Sequence, residues 1–174
     1  MNAPALEVHM DADDLARTLR ADVIAGLTAD RKWLPPKWFY DARGSELFEE
    51  ITELDEYYPT RRERSILVER VDEIAQASGA ETLVELGSGS SVKTRLILDG
   101  LQRAGTLDRY VPVDVSPTAL EGAMEALAPD YPSVALHGVV ADFEHHLGLL
   151  PTGGRRMVAF LGGTIGNLTP VERH

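Results

Sequence analysis

The densest chemical signal in the chain is Glu85-Leu86-Gly87-Ser88-Gly89-Ser90-Ser91-Val92-Lys93-Thr94. It follows a short apolar run and precedes a helical one, and its glycines let the backbone approach a ligand closely. Three ligand classes compete for it. A phosphate loop of the form Gly-x4-Gly-Lys-Thr uses Gly87, Lys93 and Thr94. Val92, however, stands where a second glycine must let the backbone curl around phosphate. A dinucleotide fingerprint, Gly-x-Gly-x-x-Gly/Ala, meets the same valine at its third small residue. S-adenosylmethionine (SAM) carries no phosphate and needs no glycine there; Gly87 and Gly89 approach it, and Lys93 pairs with its methionyl carboxylate. The same residues also suit an ordinary strand-to-helix turn.

Two acids shift the balance. Asp114 ends a second apolar run, at the carboxyl edge where open α/β sheets bind ligands. A carboxylate there accepts from two ribose hydroxyls at once. Asp142-Phe143 follows a third run in the same topological place, where the acid accepts from an adenine amine and the ring gives apolar contact. Read alone, Asp114 is an exposed strand-end acid, and Asp142 is a helix cap beside a core phenylalanine. Taken with Gly87 they outline one adenosyl-shaped site. After a fourth run, Gly162-Gly163-Thr164-Ile165-Gly166-Asn167 combines close approach with an amide that can donate and accept, which suits an amine or carboxylate. A glycine-rich turn is the plainer alternative. Glu144-His145-His146 reads as a solvated helix end, because adjacent residues do not face one way. No metal site is expected.

The elements that must position these residues alternate. Residues 82–86, 110–115, 134–139 and 157–161 read as strands, the last entirely apolar and so expected to be buried on both faces. Helices are predicted over 92–101 and from Ser116-Pro117, a cap followed by a first-turn proline, to about residue 127. Strands alternating with helices mean βαβ units and a parallel sheet. The first eighty residues read as helical. Residues 11–27 place Leu15, Leu19, Val23, Ile24 and Leu27 on one face, with Asp11, Asp13 and Asp14 at the start, where negative charge suits the helix dipole. Trp33, Trp38, Phe39 and Tyr40 crowd around Pro35-Pro36, which forbid a helix. Residues 44–54 form a short helix. Pro59 is expected to end the segment before it, and Thr60-Arg61-Arg62-Glu63 has the capping-box spacing that opens the next helix, which stops near Gly79. Thr169-Pro170-Val171-Glu172 announces a further helix two residues before the last position, so the 174 residues read as part of a longer polypeptide.

Composition bounds the partners. Seventeen basic residues against 28 acidic ones give a formal net charge of −11. That argues against nucleic acid and anionic membranes, which need a basic stripe. The absence of cysteine excludes disulfides, zinc–thiolate sites and thiol catalysis. The start carries no leader pattern, and residues 157–171 fall short of the ~20 apolar residues that span a bilayer. A cytoplasmic protein is expected.

The run Lys37-Trp38-Phe39-Tyr40-Asp41-Ala42-Arg43-Gly44-Ser45-Glu46-Leu47-Phe48 resembles a signature of the histidine-specific SAM-dependent methyltransferases. So do Glu56-Tyr57-Tyr58-Pro59-Thr60-Arg61, Glu85-Leu86-Gly87-Ser88-Gly89, Ala141-Asp142-Phe143 and Leu161-Gly162-Gly163-Thr164-Ile165-Gly166-Asn167-Leu168. The likeness runs through the chain in order. It implies an α/β, Rossmann-like class I methyltransferase sheet, incomplete here with four parallel strands, preceded by a helical N-terminal lid. Residues 1–80 would form the lid and 81–174 the first part of the SAM-binding domain. The family's further strands, and the second domain that recognises imidazole, lie outside residues 1–174. Cut there, the piece is not expected to stay soluble and monomeric alone, whereas the complete protein is expected to be a monomer.

The resemblance also implies roles. Tyr40, Gly87, Lys93, Asp114, Asp142 and Phe143 would hold SAM, with no metal. Tyr57, Gly162 and Asn167 would hold the substrate, L-histidine. The implied reaction is trimethylation of the histidine α-amine to hercynine, in ergothioneine biosynthesis. No residue is assigned as a catalytic base. Competing readings are a non-catalytic module that holds an adenosyl ligand, a methyltransferase for another amino acid, and a nicotinamide or nucleotide enzyme using the same loop.

Overall fold

The structure, a computed structural model, describes residues 4–88, 93–171 and 173. The chain runs β1 (Ala5–Val8), α1 (Ala12–Thr28), a 3-10 turn (Pro36–Phe39), α2 (Ala42–Thr52) and α3 (Tyr58–Ser78). It continues through β2 (Thr82–Leu86), α4 (Thr94–Arg103), β3 (Arg109–Asp114), α5 (Pro117–Leu127), β4 (Ala135–Val140), α6 (Phe143–His146) and β5 (Arg156–Ala159). A 3-10 turn, Thr164–Asn167, follows β5.

The strands form one sheet in the order β1-β4-β3-β2-β5, and every pairing is parallel. Moving from β2 to β3 to β4 carries the chain one way; β5 returns to the other side of β2. The order therefore reverses at β2, and the crevice outside the carboxyl ends of β2 and β5 is a topological switch point, where open α/β sheets bind ligands.

The central strands are buried on both faces because they alternate between two apolar layers. On one face Leu83, Tyr110 and Leu136 pack with Leu67, Val71 and Ala75 of α3, Ile97, Leu98 and Leu101 of α4, and Met124 and Leu127 of α5. On the other, Val84, Leu86, Val111, Val113 and Val139 pack with Ala141 and Leu150. The one-residue step from Leu83 to Val84 is the period-two alternation of a strand. The four-residue steps of Leu67, Val71 and Ala75 are one helical stripe.

Several expectations change. The sheet has five strands rather than four. β1 pairs Ala5 to Val8 with His137 to Val140. Four residues carry too short an alternation to signal a strand, and β1 exists because the edge of β4 offers it a ladder. β5 is not buried on both faces: it is the last strand in the sheet order, and Val158 is 56% exposed. Pro59 does not end a segment but stands in the first turn of α3, where its missing N–H leaves no intrahelical bond unmade. Thr60 is thus already helical, and the carboxylate of Glu63 goes elsewhere.

Two helix starts follow their side chains. At α1, Asp11 accepts from the Asp14 N–H at 2.8 Å while Asp14 accepts from the Asp11 N–H at 3.1 Å, a reciprocal cap. At α5, Ser116 Oγ accepts from the Ala119 N–H at 3.3 Å. Pro170 and Val171 form a turn. Glu172, which completes the spacing for a further helix, lies outside the described residues, as do Gly89, Ser90, Ser91 and Val92 of the glycine-rich loop.

Candidate active site at the carboxyl edge of the sheet

At the crevice between β2 and β5, Gly87 leaves β2 with φ +69°, a left-handed backbone that a side chain would strain, and its N–H donates to Val113 O at 2.9 Å. Among the described residues, a Cβ at Gly87 would meet nothing within 4 Å. Lys93 stands immediately before α4. Its ammonium pairs with the Glu63 carboxylate of α3. That carboxylate also accepts from the Gly162 N–H, at 2.9 Å to Oε1 and 3.1 Å to Oε2. Gly162 has φ +77°, and a Cβ there would lie 3.7 Å from Lys93 Nζ. Three elements distant in sequence thus converge on one charged contact.

Beneath them Glu85, inside β2, is 3% exposed. Thr94 Oγ1 donates to its carboxylate at 2.7 Å and Tyr110 OH at 2.5 Å. Burial pushes its pKa up to about 7, against the lowering by these two hydrogen bonds.

At the ends of β3 and β4 the acids are positioned by local turns. Asp114 is half-buried and its Oδ1 accepts from the Ser116 N–H at 3.1 Å. Asp142 is 4% exposed. Its Oδ1 caps α6 by accepting from the Glu144 N–H at 2.9 Å, so the helix-cap reading holds. Phe143 packs edge-on against Phe160, with ring centres 5.1 Å apart. The other oxygen of Asp142 accepts from Lys37 Nζ at 2.8 Å, and Lys37 also reaches Glu144 at 3.2 Å. Burial works against the Lys37 ammonium, but the Asp142 and Glu144 carboxylates outweigh it and hold its pKa above the usual lysine value. Ligand atoms of Asp142, Glu144 and His145 lie within 4.8 Å of one another. The Lys37 ammonium already supplies a cation to the two carboxylates of that group.

The N-terminal aromatics divide. Trp38 Nε1 donates to Asp22 of α1 at 2.9 Å, which anchors the 3-10 turn. Tyr40 and Tyr57 flank Phe48, with edge-on contacts of 5.6 and 5.9 Å between ring centres. Burial, and then the neighbouring Tyr57, push the Tyr40 phenol above its usual pKa. Asn167 ends the 3-10 turn after β5, on the same connection as Gly162, and is exposed.

The structure therefore draws Lys93 to Gly162, and Tyr40 to Tyr57, and sets Gly87, Asp114 and Asp142 along one sheet edge. It adds three residues that the sequence did not assign to the site. Lys37 and Glu63 reach it through contacts across the fold. Glu85 carried a signal in the sequence, as an acid inside an otherwise apolar strand.

A model of a family described as "Histidine-specific methyltransferase, SAM-dependent" matches residues 19–174. The chain belongs to the histidine-specific, SAM-dependent methyltransferase family. It is 55% identical over 169 residues to a histidine N-alpha-methyltransferase of Mycolicibacterium smegmatis, covering 97% of this chain and 53% of that protein. It is 53% identical over 165 residues to a protein of the same name from Mycobacterium tuberculosis, covering 95% and 51%. The chain spans about half the length of these curated relatives. Among solved structures, it is similar to a plantazolicin methyltransferase in complex with a triazolic desmethylPZN analog and SAH, at TM-score 0.45 and 12% identity, covering 85% of this chain and 48% of that one.

The family's methyl donor fits the residues present. An adenosyl amino acid offers a diol, an aminopurine and a zwitterion. The sheet edge offers carboxylates at Asp114 and Asp142, a left-handed glycine turn at Gly87 and an ammonium at Lys93. Asp142 has an N–H on one oxygen and an ammonium on the other, yet a carboxylate has about four acceptor sites, so room for an amine donor remains. No helix among the described residues is long and apolar enough to cross a membrane.

Proposed function

We propose that the protein carrying this chain is a SAM-dependent N-methyltransferase that trimethylates the α-amino group of L-histidine to hercynine. The similarity to two histidine N-alpha-methyltransferases over nearly the whole chain carries this reading. Names among the more distant relatives, two of them ergothioneine biosynthesis proteins, support a place in that pathway. Within residues 1–80, β1 joins the sheet and α3 packs on its face; the segment from α1 to α2 is left to act as the lid over the edge of the SAM-binding domain, and the protein works as a monomer in the cytoplasm.

SAM supplies a methyl group already activated by the sulfonium charge. The chain's own task is then mainly positioning, holding the amine within reach of the donor's methyl group. Asp114 accepts from the ribose hydroxyls, Asp142 and Phe143 hold the adenine, and Lys93 pairs with the methionyl carboxylate beside Gly87 and Tyr40. Tyr57 and Asn167 orient the amino-acid end of histidine, with Gly162 lining the pocket. The nucleophile must be a neutral amine, and it becomes more substituted at each transfer. A phenol and an amide suit this changing group, because neither forms a strong ion pair with it.

Mass spectrometry of the full-length protein incubated with SAM and L-histidine tests the proposal. Stepwise products with one, two and three added methyl groups are expected. SAM consumption without a histidine product, or with another amino acid only, would overturn it.

A further inference from the structure

Glu63 belongs by spacing to a helix start, yet it does no work there. Its carboxylate leaves α3 and ends between the Lys93 ammonium and the Gly162 N–H, 2.9 Å from the latter. The contact is sheltered: the Glu63 and Lys93 side chains are 27% and 21% exposed. Gly162 holds its N–H there with φ +77°, a left-handed backbone that favours glycine.

An α-amino acid end is a zwitterion, which a cation beside its carboxylate and an anion beside its ammonium complement most strongly. Lys93 alone supplies half of that complement. The other acids described along this edge are committed elsewhere. Asp114 stands at the end of β3, with Ser116. Asp142 stands at the end of β4, with Lys37 and Glu144. Glu85 is buried beneath the edge, with Thr94 and Tyr110. Glu63 is the carboxylate beside Lys93.

We propose that Glu63 is a further binding residue of the methyl-donor site, accepting from the α-ammonium of the donor's methionyl end while Lys93 pairs with its carboxylate. This rests on the reading of the edge as a SAM site. It makes α3 part of the cofactor pocket. The ammonium brings its own positive charge to Glu63, so Lys93 can turn to the ligand carboxylate without leaving the acid unpaired.

Calorimetry on the full-length protein separates the outcomes. The probes are S-adenosylhomocysteine and its analogue lacking the α-amino group. Glu63→Gln should weaken S-adenosylhomocysteine about tenfold, the scale of a lost charge-assisted hydrogen bond, and leave the deamino analogue unchanged. Glu63→Asp, which keeps the charge on a shorter arm, should fall between. Equal weakening of both ligands would overturn the proposal, since Glu63 would then only hold Lys93 or α3 in place. So would an unchanged affinity. Tighter binding of S-adenosylhomocysteine would also overturn it, by showing that Glu63 competes with the ligand for Lys93. If the wild-type protein binds neither probe, the SAM-site reading itself fails. If it binds both and Glu63→Gln is unselective, only the role of Glu63 fails.

Discussion

Lys37 and Asp142 stand 105 positions apart in the chain, and the ammonium of one lies 2.8 Å from the carboxylate of the other. This ion pair joins the 3-10 turn of the N-terminal segment to the end of β4. Lys37→Met leaves the buried Asp142 carboxylate without its cation. We expect a loss of about 1–3 kcal/mol in denaturant unfolding at neutral pH, with Lys37→Arg losing less. A midpoint unchanged in Lys37→Met would show that the pair adds nothing to stability.

Glu85 makes stability depend on pH in an unusual direction. Its folded pKa, about 7, lies above the ordinary value of 4.5 because burial penalises the charge. Below pH 4.5 both folded and unfolded forms are protonated, and the group costs nothing. Between 4.5 and about 7 the unfolded chain sheds the proton first, so this contribution falls as pH rises, then levels off. Comparing the pH dependence of Tm between wild type and Glu85→Gln isolates the effect. Wild type should lose more stability than the variant across this window, and parallel curves would contradict the assignment.

Asp114 and Asn167 should fail in different ways. Asp114→Asn should raise the Kd for SAM about tenfold, through weaker acceptance from the ribose hydroxyls, with little change in the KM for histidine. Asn167→Ala should lower kcat/KM for histidine by roughly 10- to 100-fold while leaving SAM binding close to wild type. Titration and steady-state kinetics on the same preparations check both. If the two variants show the same defect, the division into donor and acceptor ends is wrong.

Phe48 carries both tyrosines assigned to the site. Phe48→Ala removes two edge-on ring contacts, each worth about 0.5–1.5 kcal/mol beyond simple burial. A lowered unfolding midpoint and a raised KM for histidine should appear together, since Tyr57 loses its support. Phe48→Leu should recover part of the stability and little of the KM.

The apolar runs that became β2 to β5 were readable because each is framed by turn residues, and helical stripes separate β2 from β3 and β3 from β4. β1 was not, since four residues become a strand only against the edge of β4. Asp114 and Asp142 were readable for the same positional reason: an acid that ends a strand lies on the ligand edge wherever the sheet is parallel. Lys37 and Glu63 were not. Asp142 lies 105 positions from Lys37, and Lys93 and Gly162 lie 30 and 99 positions from Glu63; no local periodicity encodes such contacts. Glu63 was further obscured by its spacing from Thr60, which mimics a helix cap that Pro59 makes unnecessary.

The register of β1 against β4, with Ala5 beside His137, sets an order of events at the ribosome. At roughly 5–20 residues per second, β1 emerges on the order of ten seconds before any of its partner strand exists. It is the first of the five strands to be synthesised and cannot join the sheet until β4 has followed. During synthesis its ladder groups therefore stay without their native partners, while β2 and β3 can already pair.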